Sequence, residues 1–290
     1  MTIDLHNKLI DAHTHVWREP CDQYPFAPGF DAAEPWLPRF TPDNHAHIAA
    51  PFGVVRMNLV QITWYALDHS YILDLIQHNP ERFVGTGIVP AYSDVSVGEP
   101  DKTMIALARR GISAFRIRGG EPPFKRFEHP GYDKMFTAAA DHNLPLSFLG
   151  PLDAVDEIDA MCARFPDAPL ILDHLLGLGL NDNFTDDNCA RLLRLAEHPR
   201  VTVKFGPIHA MGSRQRPFLD VLPILRRVVD AFGPQRIMYE SDSGGPILMS
   251  DPDKDFPAEV ALIRDHADFL SDADKTQILY QTAEDLFFNR

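Results

Sequence analysis

The chain has 290 residues, of which 45% are hydrophobic and 23% charged, and its formal net charge is −14. This length and composition are typical of one large α/β domain, so we expect a single domain over residues 1–290. The excess of 41 acidic over 27 basic side chains argues against a nucleic acid or an anionic membrane surface as the main partner.

The sequence also indicates a cellular location. No apolar run approaches the ~20 residues of a membrane span, and the N-terminus lacks the basic-then-apolar order of a secretory signal. Cys21, Cys162 and Cys189 are widely spaced and form no Cys-x-x-Cys pair. We therefore expect a cytoplasmic protein. Whether it forms a homo-oligomer is left open.

Short apolar runs alternate with amphipathic stretches along the whole chain. We predict eight strands, at Lys8–His13, Gly53–Thr63, Phe83–Val89, Ser113–Arg118, Leu144–Leu149, Pro169–His174, Arg200–Phe205 and Arg236–Ser241. The predicted helices are Leu67–His78, Lys102–Arg110, Tyr132–His142, Leu152–Phe165, Asp187–Glu197, Phe218–Phe232, Phe256–Leu270 and Asp272–Phe288. Strands that alternate with helices run parallel, and eight such units close into a (β/α)8 TIM barrel. A doubly wound sheet is the alternative, but no Gly-x-Gly-x-x-Gly turn follows any predicted strand.

The segment from Trp17 to about His47 does not fit this alternation. It is rich in proline and aromatic residues. Loops of this length are usually functional or disordered, and the aromatic content favours an ordered flap that covers the C-terminal face of the barrel. Shorter irregular loops are predicted after the fourth, seventh and eighth strands, at Gly119–Pro130, Gly206–Pro217 and Asp242–Asp255.

The first predicted strand leads into two histidines, His13 and His15. Side chains alternate along a strand, so both imidazoles can point into one pocket. Two converging imidazoles suit a divalent metal or a paired acid/base and oxyanion-binding site. A chance pair of surface histidines is the alternative.

Further polar side chains follow the sixth and eighth predicted strands. The first and eighth strands are neighbours in a closed barrel, so Asp242 can meet His13 and His15, as a metal ligand or as a general base for water. A turn cap is the alternative for Asp242. We expect His174 to polarise a carbonyl or leaving group, unless it is a satisfied core residue. Asp173 is expected to point to the opposite side and to anchor structure.

The predicted substrate is a small anionic molecule. Arg116 and Arg118 share a face and could hold a carboxylate in a fork, although a structural ion pair is the alternative for either. Arg214 and Arg216 could form a second anion clamp or be solvated. The predicted substrate-binding residues are Arg116, Arg118, Trp64, His209 and Arg214.

Together these motifs resemble the amidohydrolase superfamily. The resemblance is to its amidohydrolase-related branch, which contains pyrone dicarboxylate lactonase, sugar lactonases, sulfomuconolactone hydrolase and nonoxidative decarboxylases. It runs through Ile10–Trp17, Pro80–Gly85, Leu172–Gly177 and Phe232–Arg236 with Ser241-Asp242. It implies a hydrolytic site of His13, His15, His174 and Asp242, and the Leu-Asp-His-Leu pattern looks most like the lactonases.

The chain departs from its relatives at two ligand positions. The zinc-using decarboxylases of the family carry a histidine ligand at the end of strand five, where this chain has Ser147-Phe148. The carboxylated lysine of binuclear relatives has no evident counterpart on strand four. His13, His15 and Asp242 remain as ligands for one zinc or manganese ion. A metal-independent mechanism also stays open, since pyrone dicarboxylate lactonase works without a bound metal.

The leading expectation is opening of a lactone ring in a small carboxylate-bearing compound by water attack. Asp242 would be the general base, and His13, His15 and His174 would polarise the carbonyl. The alternatives are metal-dependent nonoxidative decarboxylation of an aromatic or unsaturated acid, and a barrel that serves as a binding protein.

Overall fold

The structure, a computed structural model, describes residues 8–89, 99–118 and 127–289. Its strands are β1 (Leu9–His15), β2 (Val54–Val60), β3 (Phe83–Ile88), β4 (Ile112–Ile117), β5 (Leu146–Phe148), β6 (Leu170–Leu172), β7 (Val201–Phe205) and β8 (Ile237–Tyr239). Each strand pairs in parallel with the next along the chain. The ring closes just beyond β8, where the His15 amide donates to the Ser243 carbonyl at 2.9 Å. The predicted (β/α)8 barrel is confirmed.

Helices connect the strands on the outside of the barrel. They are α1 (Pro42–Ala49), α2 (Ser70–His78), α3 (Pro100–Ala108), α4 (Pro130–His142), α5 (Val155–Arg164), α6 (Asp186–Arg194), α7 (Leu222–Phe232), α8 (Pro252–Ala261) and α9 (Asp272–Thr276). Wider helical turns continue α8 over Leu262–His266 and α9 over Gln277–Gln281 and Glu284–Phe288. Among the described residues, no helix has the length and apolar character needed to cross a bilayer.

Two apolar layers leave one end of the barrel for polar side chains. The larger core lies between strands and helices. A smaller one fills the barrel floor, where Ile10 and Ala12 of β1 belong to the same cluster as Tyr280, Ala283 and Phe287 of the C-terminal helix. Because that helix packs against the floor, the site is confined to the C-terminal ends of the strands.

Several predicted boundaries were wrong. Strand β1 runs to His15 rather than His13, because it continues to pair with Val60 of β2. Strand β2 ends at Val60 rather than Thr63, and the chain turns over Thr63–Tyr65. The segment predicted as irregular up to about His47 contains α1, whose start is fixed by a capping box between Thr41 and Asn44.

The rest of that segment, residues 18–41, packs on the rim of the barrel. Trp36 donates its indole N–H to the Gly244 carbonyl at 3.2 Å, beyond β8. The Trp36 ring centroid lies 5.7 Å from that of Trp17 and 5.0 Å from that of Trp64. These contacts attach the segment to the ends of β1, β2 and β8. The loop predicted at Gly119–Pro130 lies mostly outside the described residues.

Candidate active site

Two histidines of β1 form the centre of the candidate site. His13 is fully buried, His15 is 4% exposed, and their Nε2 atoms are 3.2 Å apart. The pairing of β1 with β2 is irregular between Asp11 and Thr14. Strand irregularities of this kind re-aim side chains. Here His13 points into the barrel, whereas Asp11 bonds to His45 of α1 at 2.8 Å.

Asp242 reaches this pair from beyond β8. Its Oδ1 lies 3.6 Å from His13 Nε2 and 3.5 Å from His15 Nε2. The residue has a left-handed φ of 51°, so its direction could not follow from strand alternation. A Cβ at Gly245 would lie 2.4 Å from Asp242 Oδ2, so only glycine leaves room for the carboxylate. Oδ1 is buried, with no hydrogen-bond partner among the residues that the structure describes.

Two buried cations flank His13. Arg116 of β4 donates from Nη2 to His13 Nε2 at 2.7 Å, and Lys204 Nζ of β7 lies 3.1 Å from Nδ1. Both cations pair with Asp173, Arg116 at 3.3 Å and Lys204 at 2.9 Å. Burial opposes ionisation of Asp173, but the two cations outweigh burial and hold its pKa well below the ordinary range.

The expectation that Asp173 points away from the site was wrong. Strand β6 ends at Leu172, and the backbone is left-handed from His174 to Leu176. The alternation of faces therefore stops before these residues, and Asp173 and His174 both turn inward. The Ser147 hydroxyl adds a hydrogen bond to Asp173 at 2.7 Å.

Glu240 binds His174 and lies beside His13, a role that sequence reasoning missed. Its Oε1 accepts from the backbone N–H and Nδ1 of His174 at 3.0 and 2.8 Å, and its Oε2 lies 3.1 Å from His13 Nδ1. Burial opposes the charged form of His174, but Glu240 and Asp242 outweigh it and raise the pKa of His174 to about 9. An acidic residue directly after the apolar run Ile237–Tyr239 was the available signal.

The surroundings keep His13 and His15 neutral. Burial, reinforced by Arg116 and Lys204, lowers the pKa of both imidazoles well below the ordinary value. His15 Nδ1 donates to the Val60 carbonyl at 2.9 Å, which leaves a lone pair on Nε2. Two donors face His13, Arg116 at 2.7 Å from Nε2 and Lys204 at 3.1 Å from Nδ1; we take the shorter contact as the hydrogen bond and assign the single proton of His13 to Nδ1. Both Nε2 atoms are therefore acceptors.

The donor set fits a divalent metal in chemistry and spacing. His13 Nε2, His15 Nε2 and Asp242 Oδ1 are 3.2 to 3.6 Å apart. Ligands about 2.1 Å from a tetrahedral ion lie about 3.4 Å from one another. His174 also brings a nitrogen near His13 and Asp242, and the carbonyl that orients His15 is typical of metal-ligating histidines.

A cavity of about 480 Å³ opens beside this cluster, at the ends of β5 and β6. Asp173 and His174 form part of its wall, together with Leu152, Leu176 and Asn181. This volume is in the range of small-molecule sites. His174 therefore lies between the buried charged side chains and a cavity that a small substrate can enter.

The predicted substrate-binding residues lie in different surroundings. Trp64 is buried against Trp36, and its indole N–H has no partner in the described part of the chain. Arg118 is exposed at the end of β4. Arg214, on the rim, donates to the Ala210 carbonyl at 3.2 Å and to Asn181 of the cavity wall at 3.4 Å.

His209 and Arg216 are held by other side chains. His209 Nδ1 is 2.7 Å from Glu259 Oε1, and its Nε2 is 2.9 Å from the Ile247 carbonyl. Burial opposes the charged form, but Glu259 outweighs it and raises the pKa of His209. Because acceptors face both ring nitrogens, neither nitrogen is left for a ligand in this arrangement. Arg216 pairs with Asp255 at 2.5 Å.

Known proteins share this architecture. One relative is an L-fucono-1,5-lactonase from Burkholderia ambifaria, 25% identical over 240 residues, which are 80% of this chain and 79% of that protein. An amidohydrolase from Burkholderia multivorans with bound zinc superposes with a TM-score of 0.75 at 21% identity, covering 97% of this chain and 99% of the other.

Two further structures differ in the reactions assigned to them. A candidate 2-pyrone-4,6-dicarboxylic acid hydrolase from Pseudomonas putida gives a TM-score of 0.73 at 18% identity, over 97% and 98% of the two chains. A 5-carboxyvanillate decarboxylase from Sphingomonas paucimobilis gives 0.67 at 15% identity, over 97% and 99%. At these identities the structures share the fold. The amidohydrolase family model (Amidohydro_2) matches residues 10–288, and the chain belongs to this family.

Proposed function

We propose that this protein hydrolyses the ring ester of a lactone in a small carboxylate-bearing compound, with Asp242 as the general base. The observation that carries the proposal is the unpartnered, buried Oδ1 of Asp242, which lies 3.5 Å from His15 Nε2 and 3.6 Å from His13 Nε2. Burial raises the pKa of Asp242, with His174 and Arg116 opposing, so the carboxylate is a stronger base than an ordinary aspartate. The lactonase relative supports the substrate class.

The attacking water would bind between two open acceptors. It can donate to Asp242 Oδ1 and to His15 Nε2, while its oxygen lone pairs face the substrate. Asp242 takes the proton as the water oxygen bonds to the lactone carbonyl carbon. The resulting tetrahedral oxyanion then expels the ring oxygen, and Asp242 returns the proton to that leaving oxygen. The product is an open-chain hydroxy acid.

The carbonyl oxygen needs hydrogen-bond donors, which changes the roles expected from sequence. His13 and His15 present lone pairs at Nε2 and cannot donate there in these tautomers. His174, whose pKa is about 9, keeps a second N–H when Glu240 holds Nδ1. We therefore assign stabilisation of the oxyanion to His174 and Arg116. A divalent metal, when bound by His13, His15 and Asp242, would instead polarise the carbonyl and lower the pKa of water.

The remaining predicted contacts belong to substrate binding. Arg118 and Arg214 lie on the rim and could meet the substrate carboxylate. Segment 18–41, with Trp36 over Trp64, would cover the ring. The alternative reaction is nonoxidative decarboxylation, and the zinc-using decarboxylases carry a histidine ligand at the end of strand five. This chain has Ser147 at that position, and the Ser147 hydroxyl donates to Asp173.

The test is Asp242→Asn, assayed on a panel of sugar and dicarboxylate lactones with and without added zinc or manganese. We expect kcat to fall at least about 100-fold on any lactone that the unmodified protein hydrolyses, because the amide cannot take a proton. Asp133→Asn, in an exposed pair with Arg164, is the matched control and should keep full activity. Unchanged hydrolysis by the Asp242 variant would remove the general base from this account. Carbon dioxide release from aromatic acids, without lactone hydrolysis, would favour decarboxylation.

A further inference from the structure

The Arg116 guanidinium contacts the His13 nitrogen that a metal ion would bind. We propose that the Arg116 guanidinium occupies the coordination position on His13 Nε2 and thereby keeps the affinity of this site for divalent metals low. The proposal concerns metal binding alone and does not depend on which reaction the protein catalyses.

Arg116 blocks the metal position on His13 sterically. Arg116 Nη2 lies 2.7 Å from His13 Nε2 and donates a hydrogen to its only lone pair. A zinc ion would have to lie about 2.1 Å from the same nitrogen, along the same lone pair. The imidazole cannot bind both at once, so metal binding requires the guanidinium to leave.

Charge also opposes metal binding. Arg116 and Lys204 are 4% and 0% exposed, and both lie within 3.1 Å of a nitrogen of His13. The carboxylates of Asp173, Glu240 and Asp242 offset the charges of Arg116, Lys204 and His174, so a divalent ion would add positive charge to a buried group that is already balanced. A divalent ion added beside two poorly screened cations is repelled more strongly than at the surface.

The guanidinium is held mainly by its ion pair with Asp173 and by His13. Its Nε is buried with no hydrogen-bond partner among the described residues. If Arg116 is replaced, Asp173 still accepts from Lys204 at 2.9 Å and from Ser147 at 2.7 Å. Methionine has a similar length, fills the space and leaves no carboxylate unpaired. Arg116→Met should therefore fold and leave the lone pair of His13 free.

The experiment titrates metal-free protein with Co2+, read by its visible absorption, and with Zn2+ in competition with a chromophoric chelator. We expect Arg116→Met to bind Zn2+ about 10- to 100-fold more tightly than the unmodified protein, the range typical of changes to groups that contact metal ligands. Arg116→Gln should show the same direction, and Arg116→Lys, which keeps the charge, should remain weak. Adding His15→Asn to Arg116→Met should remove the gain, because it removes a donor.

Two matched variants separate position from charge. Lys204→Met removes a buried charge but faces Nδ1, so its gain should be clearly smaller. Arg164→Met removes an exposed charge on α5 and should change nothing. Equal Zn2+ affinity of unmodified protein and both neutral Arg116 variants, each folded by circular dichroism, would overturn the proposal. A gain in Lys204→Met as large as that in Arg116→Met would also overturn it, since charge alone would then explain the effect.

Discussion

The position of a single proton decides what each histidine at this site can do. The Val60 carbonyl fixes the tautomer of His15, and Arg116 fixes that of His13, so both present acceptors to the same space. His174 differs because Glu240 binds its Nδ1 and supports its charge. Three residues of one type therefore divide into two acceptors and one cationic donor.

This division predicts the pH dependence of hydrolysis. The base, Asp242, must be ionised, and burial raises its pKa, so activity should fall on acidification at a higher pH than for an exposed aspartate, about 4. The donor, His174, must be protonated. Its pKa is raised to about 9, so the donor is present below that pH and is lost as pH rises through it. The profile of kcat/KM should be a bell with its alkaline limb near pH 9.

His174→Gln identifies the group behind the alkaline limb. Glutamine keeps a donor that does not titrate, so a lower, flatter profile is expected, with the acidic limb retained. Measurements of kcat/KM from pH 5 to 10 on one lactone are sufficient. If the alkaline limb is identical in the variant, a group other than His174 causes it.

At the scale of the element, the sequence pattern predicts which segments are strands better than it predicts the direction of the side chains that follow each strand. Apolar runs separated by amphipathic stretches identify all eight strands, because burial on both faces requires such runs. The directions of His174 and Asp242 depend on left-handed backbone at both residues. That backbone is stabilised by contacts with residues distant in sequence, such as Glu240 for His174, and no local pattern encodes those contacts.

Limited proteolysis with trypsin can test how firmly segment 18–41 is attached to the barrel. Arg18 and Arg39 place trypsin sites near its two ends. Trp36→Phe keeps an aromatic ring but removes the hydrogen bond to Gly244, worth about 1 kcal/mol. When opening is fast, the rate of cleavage follows the population of the open form. We therefore expect trypsin to cleave segment 18–41 about fivefold faster in Trp36→Phe than in the unmodified protein.

Trp36→Ala also removes the ring contacts with Trp17 and Trp64. Cleavage in the segment should then be faster than in Trp36→Phe, while cleavage after Lys275 on α9 should stay unchanged as an internal reference. Mass spectrometry of the fragments over time gives both rates. Equal rates in all three proteins would show that these contacts do not hold the segment closed.

At the scale of the whole molecule, the barrel brings the first strand next to the segment that follows the last strand, and this placement was predictable from topology. Strand β1 and the residues after β8 are joined through Asp11, which accepts from the Ser241 N–H at 3.0 Å and from the Ser241 hydroxyl at 2.5 Å. Burial opposes ionisation of Asp11, but His45 and Ser241 outweigh it and lower its pKa. The network itself was not predictable, because Asp11 and His13 should share a face in a regular strand.

A double-mutant cycle measures how strongly this contact closes the barrel. Asp11→Ala should lower the free energy of unfolding by about 3 kcal/mol or more, because it leaves buried donors without an acceptor. Ser241→Ala should cost about 1.5–3 kcal/mol, the range for a hydrogen bond to a charged group. Since the two side chains act through one contact, the double variant should lose less than the sum of the single losses. Urea denaturation measures all three, with Glu81→Ala, whose side chain is 93% exposed, as a control expected to change stability little.

The same cycle links closure to catalysis, because Asp242 follows Ser241 directly. Ser241→Ala should reduce kcat even at temperatures where the variant is fully folded, since the turn that aims the carboxylate loses its anchor to β1. Strictly additive losses of stability, together with full activity in Ser241→Ala, would show that the barrel closes and positions its base without this contact. In that case other contacts would join the first strand to the segment that carries Asp242, among them the backbone bond from His15 to Ser243.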